Sequence, residues 1–155
     1  MTQPHPKRMV GDLLALAVEG HFDVIVHGCN CQCTMGAGIA KAVKAMFPEA
    51  YAADCATKKG DRAKLGTLSI ATVMRNGREL TIVNAYTQFH WRGKGCLADY
   101  EAIRSCMREI GRRFSGRRIG YPLIGAGLAG GDWERIARII DSELMGESHT
   151  LVALP

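Results

Sequence analysis

Apolar residues fall along this chain in short blocks that switch between two periods. Asp23 to His27 (Asp-Val-Ile-Val-His) is a β-branched run of the kind that forms a strand buried on both faces. Ile39, Val43, Met46 and Phe47 then recur at helical spacing, and Pro48 just past them stops that helix. Gly66 to Met74 and Leu80 to Tyr86 read as two strands joined by a turn at Arg75-Asn76-Gly77, where Asn-Gly signals a hairpin. Tyr100, Ile103, Met107 and Ile110 form a regular stripe, which predicts a helix from Leu97 to Phe114. Arg118 to Ile124 reads as a strand, Trp133, Ile136, Ile139 and Ile140 as another helical face, and Thr150 to Leu154 as a closing strand. At the other end, Met9 to Leu14 reads as a strand running into a turn at Gly11-Asp12. Strands alternate with helices and there is one hairpin. That order predicts an α/β fold of three α/β/α layers, with a central mixed sheet and helices on both faces. No repeat, linker or low-complexity tract breaks the pattern, so residues 1–155 read as a single domain.

Two of the strand-to-helix junctions carry glycine. The first is Met35-Gly36-Ala37-Gly38-Ile39-Ala40, and the second, about ninety residues on, is Ile124-Gly125-Ala126-Gly127-Leu128-Ala129-Gly130-Gly131. A glycine turn lets main chain approach a ligand closely, and its N–H groups together with a helix N-terminus suit an anion. Either loop alone is equally well read as a tight turn. The pair suggests two jaws around a diphosphate. The second loop also satisfies the dinucleotide fingerprint G-x-G-x-x-G, but a Rossmann domain needs an acidic residue about 20 residues on and a further βαβ half. Only 25 residues follow Gly130, so that reading fails on length. There is no G-x-x-x-x-G-K-[ST] segment, which excludes a P-loop nucleotidase.

Composition changes the picture little. A formal net charge of +5 favours an anionic ligand, but the basic residues are scattered without an aromatic-interleaved stripe, which argues against nucleic acid. The stretch from Met1 to Lys7 is polar with no apolar h-region, and no apolar run approaches the about 20 residues that span a bilayer. A soluble, cytoplasmic protein with no membrane partner is the expectation. Its six cysteines then read as reduced thiols. Cys29, Cys31 and Cys33, with His27 before them, lack the gap of a zinc knuckle and no second ligand pair follows, so no metal and no cofactor are expected.

Four segments in order, Gly11-Asp12-Leu13, Asp23 to Asn30, Met35 to Ala40 and Pro122 to Leu128, resemble a macro domain over nearly the whole chain from Met9 to Leu154. The likeness is to the subgroup of the terminal ADP-ribose protein glycohydrolase, the yeast-type ADP-ribose-1″-phosphate phosphatase and their phage relatives. A phage-encoded member would work in the host cytoplasm. The resemblance implies a pocket for ADP-ribose at the C-terminal edge of the sheet. Asp12 would accept a hydrogen bond from the adenine amine, with the Leu13 main chain beside it; capping the helix that follows is its structural alternative, and both can hold at once. Gly36, Ala37, Gly38 and Ile39, with Leu123, Ile124, Gly125, Ala126, Gly127, Leu128 and Ala129, would wrap the diphosphate. Asn30 would meet the distal ribose, and Leu154 would approach the adenine from the last strand.

The glycohydrolases of this subgroup use a lysine after the Tyr-bearing strand and an aspartate in the second loop. Counting from Tyr86 puts His90 at the lysine position, and counting from Gly127 puts Ala129 at the aspartate position, so a lysine adduct is not expected. Lys94 stands nearby and could substitute for it, although lysines in a glycine-flanked loop are ordinarily solvated. Three groups are left to handle a water: Asn30, His90 as general acid or base, and Asp132 beyond the second loop. Their plain structural alternatives are a turn residue, an exposed loop histidine and the cap of the helix that begins at Trp133. The expected activity is hydrolysis of ADP-ribose 1″-phosphate, or of ADP-ribose esters on proteins. The alternative is a module that reads ADP-ribose or ADP-ribosylated protein without turnover. The segment Trp91 to Gly95 is a candidate flap over the ligand.

Overall fold

The computed structural model describes residues 6–155; the first five residues of the polar amino-terminal stretch lie outside them. Among the described residues there are six strands, β1 (Lys7–Val10), β2 (Val24–Cys29), β3 (Leu68–Arg75), β4 (Arg78–Tyr86), β5 (Arg118–Tyr121) and β6 (Ser148–Ala153). They form one mixed sheet in the order β1-β6-β5-β2-β4-β3. Every pairing is parallel except the β3–β4 hairpin. Its Asn76-Gly77 turn has both φ values positive, 51° and 72°, the geometry for which Asn-Gly is favoured.

Among the described residues five α-helices flank the sheet: α1 (Leu13–Val18), α2 (Gly38–Met46), α3 (Pro48–Cys55), α4 (Tyr100–Arg113) and α5 (Trp133–Glu143). The alternation along β2 assigns the two faces. Val24 and Val26 pack with Ile103, Met107, Ile110, Ile136 and Ile140 of α4 and α5, while Ile25 packs with Leu14, Val43 and Ala50 of α1 to α3 and with Phe47 at the α2–α3 junction. These are the two outer layers of the three predicted. Among the described residues no helix is long and apolar enough to cross a membrane.

The structure corrects several boundaries. The first strand ends at Val10, and Leu13 and Leu14 belong to α1, because Asp12 accepts from the amides of Leu14 (3.0 Å) and Ala15 (3.2 Å) and starts a helix there. The fifth strand ends at Tyr121, where Pro122 offers no N–H to the ladder. The last strand begins earlier than expected, at Ser148, and stops before Leu154. The long helix starts at Tyr100, capped by Asp99, leaving Ala98 in an isolated bridge with Gln88. Pro48 does end α2, but it also occupies the first turn of α3, a helix absent from the sequence reading. That helix, Pro-Glu-Ala-Tyr-Ala-Ala-Asp-Cys, has hardly any apolar stripe to betray it.

Candidate functional site

The C-terminal ends of β6, β5, β2 and β4 open onto a cleft of about 1040 Å³. The sheet order sets its long axis. Asp12, Leu13 and Leu154 stand at the β1–β6 end, the second glycine loop follows β5, and Asn30 and Gln88 follow β2 and β4 at the opposite end. Of the residues singled out in the sequence, Asp12, Leu13, Asn30, Gly36, Ala37, Gly38, Ile39, Leu123, Ile124, Gly125, Gly127, Leu128, Ala129 and Leu154 all line this one cleft. Ala126 does not, and packs against the α4–α5 core instead.

Both loops present unspent main-chain amides. Ala37 is the N-cap of α2 and has no side-chain oxygen, so the amides of Gly38, Ile39 and Ala40 have neither a cap nor an intrahelical acceptor. In the second loop Gly131 N donates to Gly125 O (2.7 Å) and Gly130 N to Gly127 O (3.1 Å). These bonds close the turn, and the amides of Gly127, Leu128 and Ala129 donate to no main-chain group among the described residues. Gly125 has φ +72°, and a Cβ there would meet Ala98, Ile103 and Ile136 at 3.2–3.3 Å, so the turn is built for glycine. Apolar walls flank the amides: Leu128 is 80% and Leu154 75% exposed beside the cleft.

At the β1–β6 end the Gly11 amide donates to Ala153 O (2.9 Å), which fixes Asp12 over the last strand. One carboxylate oxygen of Asp12 caps α1, and the other is unengaged among the described residues. The capping role and an acceptor role are therefore compatible, as expected from the sequence.

At the β2–β4 end Asn30 is folded onto its own loop. Its Oδ1 accepts from Gln32 N (2.8 Å) and Thr34 Oγ1 (3.2 Å), and its Nδ2 lies 2.9 Å from Thr34 Oγ1 and 3.2 Å from Thr34 O. That loop is tied down from behind by the buried Lys64, whose Nζ donates to Cys31 O (3.2 Å), and by Cys33 Sγ against Asp54 O (3.3 Å). Tyr86 donates to Asp54 Oδ1 at 2.7 Å, and burial pushes the Asp54 carboxyl above its ordinary value against that bond and the nearby Lys64 charge. Cys29 lines the cleft as a neutral thiol, its pKa raised well above normal, first by burial and then by the Asp54 charge.

His90 and Asp132 do not line the cleft. Asp132 caps α5, accepting from Glu134 N at 3.0 Å. The His90 ring accepts from Arg92 N at 2.9 Å and lies tilted against Trp91, and Trp91 is the member of that segment that lines the cleft. After β4 the polar residue that lines the cleft is Gln88, two residues before the position that counting from Tyr86 had marked. No sequence signal distinguished Gln88; its direction follows from the Gln88–Ala98 bridge, a long-range pairing. Thr34, another lining residue that the sequence reading passed over, is visible only through its bonds to Asn30. His27, beside the cysteines, is buried and hydrogen-bonded to Asn84 Oδ1 at 2.6 Å. Desolvation holds its pKa down at about 4.

Known proteins agree with this architecture. The family model described as Macro domain matches residues 26–140. An uncharacterized 17.5 kDa protein from the tk-vs intergenic region of Enterobacteria phage T4 is 36% identical over 141 residues, covering 88% of each chain. A structure of a protein of unknown function from Bacteroides thetaiotaomicron superposes with a TM-score of 0.81 at 26% identity, covering 95% of this chain and 96% of the other. Thermosipho africanus DarTG, solved in complex with ADP-ribose, matches in fold with a TM-score of 0.72 at 19% identity, over 96% of this chain and 42% of its own. With a cleft at the C-terminal edge of a mixed sheet, two glycine loops along it and a family match across most of its length, this chain belongs to the macro-domain family.

Proposed function

We propose that this chain binds ADP-ribose in the cleft and removes a substituent from its distal ribose. ADP-ribose 1″-phosphate is the leading substrate, and ADP-ribose esters on proteins are the alternative one. One observation carries the reading: an acceptor, two groups of unspent amides and a second polar end all line one cleft, the acceptor beyond β1 and β6 and the polar end beyond β2 and β4. ADP-ribose has the same order of parts: a base with an exocyclic amine, a diphosphate and a second ribose. Main-chain N–H groups suit the diphosphate because charge-assisted hydrogen bonds are about twice as strong as neutral ones. The ADP-ribose complex of the Thermosipho africanus protein supports the same ligand.

In the hydrolytic reading, water adds to phosphorus in line with the departing distal-ribose oxygen. The P–O bond breaks and ADP-ribose and inorganic phosphate are released. Loop amides neutralise charge on the phosphoryl oxygens. Asn30 and Thr34 hold the ribose end, and the substrate's own phosphate takes up one proton of the attacking water and passes it to the departing ribose oxygen, which leaves as a hydroxyl. His90 and Asp132 would reach the reaction only if their segments moved. A phosphate-release assay decides these roles. Asn30→Ala is expected to lower turnover at least tenfold, with His90→Ala and Asp132→Asn within threefold of the parent. Full activity in Asn30→Ala would remove Asn30 from the mechanism.

A second reading, a binding module without turnover, is favoured by one specific feature. The side chains at the β2–β4 end of the cleft, Asn30, Thr34, Gln88 and Trp91, are all uncharged. Tight ADP-ribose binding with neither phosphate release nor ester cleavage would establish it.

Asp12 supplies a further prediction. Asp12→Ala removes the α1 cap, at a cost of about 1 kcal/mol in denaturant unfolding. It is also expected to reduce the preference for ADP-ribose over its hypoxanthine analogue about tenfold. An unchanged preference would leave Asp12 as a cap alone.

A further inference from the structure

Gln88 is placed with unusual firmness for a loop residue. Its N–H reaches Cys29 O (3.4 Å), its C=O accepts from Cys31 Sγ (3.5 Å), and it bridges to Ala98 across the cleft end. Gln88 lines the cleft, and its Nε2 donates one proton to His90 O at 3.1 Å. That bond fixes which way the carboxamide faces. Among the described residues its Oε1 accepts nothing, and its second N–H is unspent. The neighbouring carboxamide of Asn30 already accepts from Gln32 N and Thr34 Oγ1, so Gln88 is the amide there with its acceptor unspent. A primary amide holding an acceptor and a donor side by side complements two adjacent hydroxyls, each of which can both donate and accept. Being neutral, it does this without repelling the diphosphate or ionising in the working pH range.

We propose that Gln88 is the residue that selects ligands carrying a terminal ribose, its carboxamide pairing with neighbouring hydroxyls of that sugar. The proposal rests on the ADP-ribose reading of the cleft. A site built to hydrogen-bond a hydroxyl rejects ligands that lack it, because its own polar groups are then left unpaired.

The test is the affinity of the intact chain for ADP-ribose and for ADP, in the parent, in Gln88→Met (similar length, no hydrogen bonding) and in Gln88→Glu (acceptor kept, donor lost, charge added). The parent is expected to bind ADP-ribose at least tenfold more tightly than ADP. Gln88→Met should lose about tenfold for ADP-ribose and stay within twofold for ADP, the unchanged ADP affinity showing that the cleft is intact. Gln88→Glu should likewise fall for ADP-ribose, and recover part of the loss as the pH is lowered and the carboxyl regains its proton. A Gln88→Met variant that keeps the parent's ratio of the two affinities overturns the role of Gln88, as does a parent that binds both ligands equally. A parent that binds neither ligand overturns the ADP-ribose reading itself, and that outcome is distinct from the other two.

Discussion

Valine at Gly36 or Gly127 is expected to abolish ADP-ribose binding while leaving the protein folded. Both residues line the cleft, one in each glycine loop, and a Cβ at either would meet no atom within 4 Å. Neither has the positive φ that would strain a larger residue. The added side chain therefore costs the fold little, within about 0.5 kcal/mol as for other surface substitutions, and fills space that the diphosphate needs. Calorimetric titration should show at least a hundredfold loss of affinity, about 2.7 kcal/mol. Gly125→Val is the instructive contrast. There the left-handed backbone and the contacts at 3.2–3.3 Å make the same change damage the loop, so stability and binding fall together. Parent-like affinity in both Gly36→Val and Gly127→Val would place the diphosphate away from the two loops.

The second large effect is on stability in mild acid. His27 is buried, its ring held by Asn84, and its pKa lies at about 4 against an ordinary 6.5. The folded state thus excludes a proton that the unfolded chain takes up. The stabilisation is fully present above pH 6.5 and is lost as the pH falls from there towards 4. The gap corresponds to about 3 kcal/mol. His149, its side chain mostly buried and its pKa likewise depressed mainly by desolvation, adds in the same direction although Asp141 opposes it at 3.4 Å. Urea unfolding at pH 7 and pH 4.5 should show this loss, and His27→Gln, which retains a partner for Asn84, should flatten most of it. Equal acid sensitivity in His27→Gln would place the effect on other groups.

The residues differ in how much of this the sequence disclosed, and the reasons are physical. Val24 to Val26 alternate between the two buried faces of the sheet and the α4 and α5 stripes each follow one flank of a helix, so their periods survive in the sequence, and so did the mixed sheet with helices on both sides. Helix α3 did not, because its burial depends on Ala50 and Asp54 rather than on an apolar stripe. Most of the cleft lining was legible because glycine loops and Asp12 act through main chain and local capping, which are coded in short segments. The far end was not. Whether Gln88 or His90 faces the cleft is settled by pairing with Ala98 and by Gln32, Thr34 and Lys64 locking the Asn30 loop, contacts that counting along one strand cannot supply.

The most direct measurement is a titration of the isotopically labelled protein with ADP-ribose, followed through its backbone amide resonances. The account predicts that the amides of Gly38, Ile39 and Ala40 shift together with those of Gly127, Leu128 and Ala129, along curves that give one dissociation constant. Shifts confined to one of the two loops, or saturating at different ligand concentrations, would contradict it.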